Sequence, residues 1–174
     1  MSWAEDEALA QGLIQLPDPP RLQIELIPST SFFKNVRSSV GSTAWDAIRK
    51  HVYHKAGQKC QVCGGRGHQW PVECHEVFSY QTFPNPEHAP VQRLERFEAL
   101  CPACHEVKHF GLARVRGRED QALEHLMRVN SWDRKTALWY LDVTFLIWQD
   151  RSKHTWMLAL AVMHVLLEKL GVKA

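Results

Sequence analysis

The sequence predicts a small α+β fold braced by zinc, and three observations lead to this prediction. Residues 22–27 and 70–80 have the patterns of strands, amphipathic helical patterns dominate residues 116–174, and 37 residues separate two Cys-x-x-Cys pairs. A chain of 174 residues has room for one such domain with extensions. We therefore expect an N-terminal helix and arm over residues 1–33, a zinc-binding module over residues 34–115 and a helical C-terminal extension over residues 116–174.

Three elements are predicted before the first cysteine pair. Residues 1–12 predict a short acidic helix, and residues 22–27 alternate apolar with polar side chains as a half-buried strand would. Ser42 or Thr43 can cap a helix that continues to about residue 55, where Gly57 ends it. This helix leads the chain into the first cysteine pair.

The second half is predicted to be mostly helical. Residues 82–90 contain three prolines and predict an exposed loop. Apolar spacing after Cys104 predicts a helix, and residues 119–129 and 131–149 predict two more. The apolar run over residues 156–167 predicts a buried or partner-facing helix, because it is shorter than the roughly 20 residues of a bilayer span.

Composition and charge narrow the class of protein. With 45% apolar and 23% charged residues, the chain resembles soluble globular proteins and not disordered or membrane-embedded ones. No signal-peptide pattern opens it, so we expect a cytoplasmic protein with no membrane partner. The net charge is only +2, but residues 34–67 hold seven basic side chains and one acidic side chain. Basic side chains near the cysteine pairs are candidate nucleic-acid contacts, although each could equally be a solvated charge: Arg37, Arg66, Arg96, Lys108 and Arg114.

The two cysteine pairs predict a structural zinc site. Cys60 and Cys63 form one pair and Cys101 and Cys104 the other, so that two tight turns can close a tetrahedron of four sulfurs. A site with four thiolates leaves no open position for water, and catalysis would therefore need another site. Cys74 is the fifth cysteine and is expected to be a small buried side chain.

Residues 60–109 resemble the HNH, or ββα-metal, endonuclease family, and in particular its members with paired zinc knuckles. Three segments carry the resemblance and together lie within about 50 of the 174 residues. They are Cys60-Gln-Val-Cys63, Val72-Glu-Cys-His-Glu-Val77 and Leu100-Cys-Pro-Ala-Cys-His-Glu-Val-Lys-His109.

The resemblance implies a catalytic site but leaves two registers open. In this family the first strand carries a metal ligand followed by a histidine that activates water. One register makes His75 the ligand and Glu76 the base, whereas the other places Cys74 at the ligand position and makes His75 the base. In both, His105 after the fourth cysteine completes the metal site, and His109 one turn later can support it. Alternatively, the histidines hydrogen-bond to the zinc thiolates.

The activity implied by the resemblance is metal-dependent hydrolysis of phosphodiester bonds, and DNA is expected as the substrate before RNA. It would use a structural Zn²⁺ and a catalytic Mg²⁺ or Mn²⁺. Arg96 stands where the family has an asparagine that orients the base, so the alternative is an inactive module that binds nucleic acid or a protein partner in a larger complex. The apolar C-terminal helices also suggest docking to a partner or self-association.

Overall fold

The computed structural model describes residues 20–31, 36–85 and 87–173. The acidic helix predicted over residues 1–12 lies outside this part, as does Lys34 of the basic stretch. In the described ranges, no helix is both long enough and apolar enough to cross a membrane.

Helices and a three-stranded sheet make up the described chain, which confirms the predicted α+β class. In chain order the elements are α1 Val36–Ser39, α2 Ser42–Lys55, β1 Glu73–Gln81, β2 Val91–Leu100, α3 Pro102–Lys108, α4 Phe110–Val115, α5 Glu119–Asn130, α6 Arg134–Arg151, β3 Met157–Ala159 and α7 Ala161–Lys169. Helices α1 and α2 precede the antiparallel hairpin β1–β2, helices α3 to α6 follow it, and β3 and α7 come last.

The helix caps follow the sequence only in part. Asp133 caps α6, since its side chain accepts a hydrogen bond from the Thr136 backbone N–H at 2.7 Å. Helix α2 has the predicted extent, but its N-cap is Gly41, which makes no side-chain cap, and neither Ser42 nor Thr43 takes that role. Gly57 follows α2 with a φ of 61°, a left-handed conformation that suits a glycine after a helix.

A β-bulge interrupts the hairpin. Val77 pairs with Arg96 and Phe78 pairs with Leu94, so Glu95 is the extra residue on β2. The second strand was not predicted, because its apolar residues recur every third position, as on a helix, and not every second. The hairpin lies between the two cysteine pairs in the chain and brings them together.

The apolar run over residues 156–167 is not one helix, and that prediction was wrong. Its first part forms β3, which pairs in parallel with the start of β2, and only its second part is helical. Trp156, Met163 and Leu167 are buried within the chain, whereas Val165 is exposed. Pairing with β2 satisfies backbone hydrogen-bonding groups at the start of this segment, and apolar spacing alone does not predict such pairing.

Two clusters of buried side chains form the core. One cluster joins Cys60, Cys101 and Cys104 to α5 and α6 through side chains such as Leu123 and Tyr140. The other packs α2 and α7 on the hairpin and includes Cys74. These cysteines and the C-terminal helices α5 and α6 therefore share one core.

Residues 20–28, which we call the N-terminal strap, are extended but belong to no sheet, so the strand predicted over residues 22–27 was wrong. Leu22 and Ile24 are buried in the core that contains the zinc cysteines. The strap's backbone groups bond mainly to side chains of α5 and α6 and not to a neighbouring strand. Alternation therefore predicted the burial of this segment correctly but not its hydrogen-bond partners.

Candidate metal centres

The four cysteines of the two pairs come together as a candidate structural zinc site. Their sulfurs all lie within 4.8 Å of one another, and Cys63 Sγ is 3.6 Å from Cys101 Sγ. Cys60 and Cys63 lie on the turns that follow α2, whereas Cys101 is the N-cap of α3 and Cys104 lies in its first turn. This grouping agrees with the ligand set expected from spacing.

Backbone geometry shapes the first knuckle. The N–H of Cys63 points at Cys60 Sγ at 3.5 Å, and the N–H of Gly65 points at Cys63 Sγ at 3.4 Å. A Cβ on Gly67 would lie 2.0 Å from the Trp70 carbonyl oxygen and 2.5 Å from Pro102 Cδ. Only glycine fits there, and this close approach holds the first knuckle against the start of α3.

The electrostatics of the four sulfurs favour a bound dication. A hydrogen bond from Cys104 lowers the pKa of Cys60 to about 4, and the same interaction raises the pKa of Cys104 well above its usual range. Burial raises the pKa of Cys101 to about 11. Four thiolates this close repel one another, and a bound zinc ion supplies the positive charge that lets all of them ionise.

His125 on α5 contacts this site through the Cys104 sulfur. Its Nε2 lies 3.1 Å from Cys104 Sγ, and its Nδ1 lies 2.6 Å from an Arg128 guanidinium nitrogen. Because arginine can only donate, Nδ1 is the acceptor, and Nε2 carries the proton that points at the sulfur. Arg128 thereby sets the His125 tautomer that donates to the Cys104 sulfur.

A second group consists of three histidines. His75 comes from β1, His105 from α3 and His109 from the residue between α3 and α4, and one ring nitrogen of each lies within 4.8 Å of the others. His105 Nε2 and His109 Nε2 are 3.1 Å apart. Burial lowers the pKa of His109 to about 3, and the neighbouring imidazoles add to the effect. Neutral imidazoles in this arrangement are suitable metal ligands.

Two carboxylates are hydrogen-bonded to these imidazoles. Glu73 Oε2 is 2.5 Å from His105 Nδ1, and Glu25 Oε2 is 3.0 Å from His75 Nε2. The hydrogen bond with His105 lowers the pKa of Glu73. Burial opposes ionisation of Glu25, but the hydrogen bond with His75 and the charge of Lys108 lower its pKa to about 2. A carboxylate on the far nitrogen is the usual support of a metal-binding histidine.

His75 provides a direct test of whether this group fits a metal. The residue is 2% exposed, and its Nδ1 is buried with no hydrogen-bond partner in the part of the chain that the structure describes. A buried polar atom without a partner is costly unless something outside the chain satisfies it. Three imidazole nitrogens suit ions such as Ni²⁺, Co²⁺ or Zn²⁺, whereas Mg²⁺ prefers oxygen ligands. The donor set therefore fits a transition metal and fits the expected Mg²⁺ poorly.

Lys108 is inside the molecule and not on its surface. Its side chain is 4% exposed, its ammonium group is paired with Glu25, and Glu98 Oε2 lies 3.7 Å from Nζ. A phosphate contact would require the ammonium group to be accessible. Lys108 therefore stabilises the buried carboxylates beside the histidines instead of providing the nucleic-acid contact expected from the sequence.

The other candidate nucleic-acid contacts are exposed. Arg37 lies on α1. Arg66 donates to the Gly57 carbonyl oxygen at 3.0 Å, Arg96 pairs with Glu98 at 2.5 Å, and Arg114 pairs with Glu119 at 3.2 Å. All four could reach a phosphate, but three of them have partners within the chain.

Glu76 is not a member of the histidine group. It follows His75 on β1, and successive side chains of a strand point to opposite faces. Cys74 is two residues before Glu76 and so lies on the same face of β1 as Glu76. It is buried in the core cluster that contains α2. Burial raises the pKa of Glu76.

Glu73 and Glu25 at the histidine group, like His125 at the four-cysteine site, are residues that the sequence reasoning missed. Glu73 is two residues before His75, so strand alternation could have placed it on the same face. Glu25 is separated from His75 by 50 residues and carries no local signal. Comparison of the chain with protein-family models, curated proteins and solved structures found no match.

Proposed function

We propose that the protein is a metal-dependent, HNH-like endonuclease whose reaction takes place at the three-histidine group. The observation that carries the proposal is the convergence of His75, His105 and His109, with ring nitrogens within 4.8 Å, on a hairpin-and-helix frame next to a four-cysteine site. The resemblance over residues 60–109 points to the same chemistry. Phosphodiester bonds are the proposed substrate, in DNA before RNA.

His75, His105 and His109 would hold a divalent transition-metal ion. Such an ion supplies a Lewis acid for the phosphoryl oxygens and lowers the pKa of bound water. Glu73 and Glu25 accept hydrogen bonds from the outer nitrogens of two of these rings and so orient them.

The grouping of the three imidazoles supports the register in which His75 is a ligand and Glu76 the base. Cys74 belongs to the opposite core cluster, which makes the register with Cys74 at the ligand position less favourable. The raised pKa of Glu76 brings this carboxylate closer to the range of an effective general base. Glu76 and His75 lie on opposite faces of β1. Because β1 is the edge strand of the sheet, a substrate at this edge could contact both faces.

A plasmid-nicking assay tests this proposal. Zinc-loaded protein would be incubated with supercoiled DNA and with Ni²⁺, Co²⁺, Mn²⁺ or Mg²⁺ in turn. We expect metal-dependent nicking that His105→Ala abolishes and that the exposed-site control His164→Ala leaves intact. Glu76→Ala should slow nicking by about 100-fold or more if Glu76 is the base. Intact, zinc-loaded protein that cleaves neither DNA nor RNA with any of these ions would contradict the proposal.

The second candidate is a catalytically inactive module that binds nucleic acid or a protein partner. Arg96 favours it, because this residue replaces the family's base-orienting asparagine and its guanidinium is engaged with Glu98. This candidate predicts salt-sensitive binding of duplex DNA without products. Binding that is lost in Arg37→Ala, together with an absence of cleavage, would favour it over the endonuclease.

A further inference from the structure

We infer that Glu25 is a positioning residue of the three-histidine centre and that helices α5 and α6 hold it in place through the N-terminal strap. This inference rests on the proposed metal-binding role of that centre. It assigns a specific function to a segment that lies far from the histidines in the sequence, and to helices that contribute none of the proposed ligands.

The Glu25 carboxylate fixes the tautomer of His75. One oxygen pairs with the Lys108 ammonium group and the other lies 3.0 Å from His75 Nε2. A carboxylate held beside a buried ammonium can only accept, so His75 Nε2 must be the donor. The lone pair of the ring is then on Nδ1, which is buried and has no hydrogen-bond partner among the described residues. Glu25 therefore leaves Nδ1 as the ring nitrogen that can bind a metal.

Both oxygens of Glu25 are engaged, so its role is distinct from that of a ligand. Lys108 is itself 3% exposed, and its charge is balanced by Glu25 and by Glu98 nearby. A buried ammonium without these partners would be strongly unfavourable. The lysine therefore keeps the carboxylate in one orientation, with its second oxygen towards His75.

The strap is held at several points. The backbone N–H of Glu25 donates to the Lys108 carbonyl oxygen at 2.9 Å. The Ile24 N–H donates to the Tyr140 hydroxyl at 3.2 Å, and the Trp148 indole N–H donates to the Ile27 carbonyl oxygen at 2.9 Å. Asn130 bonds to both backbone groups of Leu22. Tyr140, Trp148 and Asn130 come from α5 and α6, so these two helices help to set the position of Glu25.

Metal affinity measures this role without depending on cleavage. Zinc-loaded full-length protein would be titrated with Co²⁺, and the visible absorption of Co²⁺ bound to nitrogen would be followed. We expect Glu25→Gln to weaken Co²⁺ binding about 10–100-fold, the usual effect of losing a carboxylate behind a histidine ligand. The exposed α5 control Glu124→Gln should bind as the parent does. Tyr140→Phe removes the hydroxyl that accepts from the Ile24 N–H of the strap and should weaken binding in the same direction by a smaller factor.

A second readout tests the tautomer itself. Long-range ¹H–¹⁵N correlation of the imidazole rings, recorded before Co²⁺ addition, should show His75 protonated on Nε2 in the parent and altered in Glu25→Gln. A parent His75 protonated on Nδ1 overturns the inference. So does a folded Glu25→Gln protein that binds Co²⁺ within twofold of the parent. If neither the parent nor His105→Ala binds Co²⁺ at this centre, the proposed metal function fails, and the His75 tautomer still decides whether Glu25 positions the ring.

Discussion

Asn130 and Leu22 are joined by two hydrogen bonds across 108 residues of chain. The Leu22 N–H donates to Asn130 Oδ1 at 3.0 Å, and Asn130 Nδ2 donates to the Leu22 carbonyl oxygen at 2.9 Å. The Asn130 amide thus pairs with the backbone much as a neighbouring strand would. It fastens the N-terminal strap to the end of α5.

Asn130→Ala should destabilise the protein by about 2 kcal/mol, because two backbone groups of a largely buried segment lose their partners. Urea unfolding with zinc present measures this effect. Asn130→Asp keeps the acceptor but not the donor, so its urea midpoint should fall between those of the parent and Asn130→Ala. A midpoint for Asn130→Ala equal to that of the parent would show that water replaces the amide without cost.

Cys104→Ala should prevent zinc binding and cooperative folding. Cys104 is buried in the core that also contains Leu123 and Tyr140, and structural zinc contributes an apparent 10–16 kcal/mol or so in small zinc modules. That is comparable with the whole stability of most domains, which is about 5–15 kcal/mol. Zinc content and near-ultraviolet circular dichroism are the measurements.

Cys74→Ala is the matched control for that experiment. Cys74 lies in the other core cluster and outside the four-cysteine group, so one equivalent of zinc should remain. The predicted cost is that of a small buried side chain alone. Loss of zinc in Cys74→Ala would show that the fifth cysteine supports the site.

His125→Ala should make the zinc site more labile without emptying it. The imidazole donates to Cys104 Sγ, and groups behind metal ligands typically contribute about 10–100-fold to affinity. Competition with a chromogenic chelator gives the affinity. Arg128→Ala should have a smaller effect in the same direction, because it removes the donor that sets the His125 tautomer. Equal chelator competition in the parent and His125→Ala would contradict this role.

Trp156→Ala should destabilise the fold by about 3–5 kcal/mol, the range for deleting a large buried aromatic side chain. The indole is 3% exposed, donates to the Arg151 carbonyl oxygen at 2.8 Å and packs edge-on against Tyr80 with ring centroids 5.0 Å apart. Thermal unfolding monitored by circular dichroism tests this. Trp70→Ala is the control, because Trp70 is 61% exposed and should change stability little. Similar losses in both variants would mean that the burial of Trp156 contributes no specific stability.

Parts of the fold could be predicted because their signals are local. The spacing of Cys60 and Cys63, and of Cys101 and Cys104, follows from the tight turns that present two sulfurs to one ion. Strand β1 and the proline-rich loop over residues 82–90 were also predicted correctly. Strand β2 could not be predicted in this way, since pairing with β1 and the bulge at Glu95 outweigh its helix-like spacing.

The sequence by itself determined the α+β class and the four cysteines that cluster, because these depend on composition and short-range spacing. The histidine candidates came from the family resemblance. Only the tertiary structure decided that Lys108 is buried, that Glu76 is outside the histidine group and that Glu25 stands behind His75. The reason is physical: hydrogen bonds and ion pairs in a packed core join groups by distance in space, and the 50 residues between Glu25 and His75 leave no trace of that contact in the local pattern.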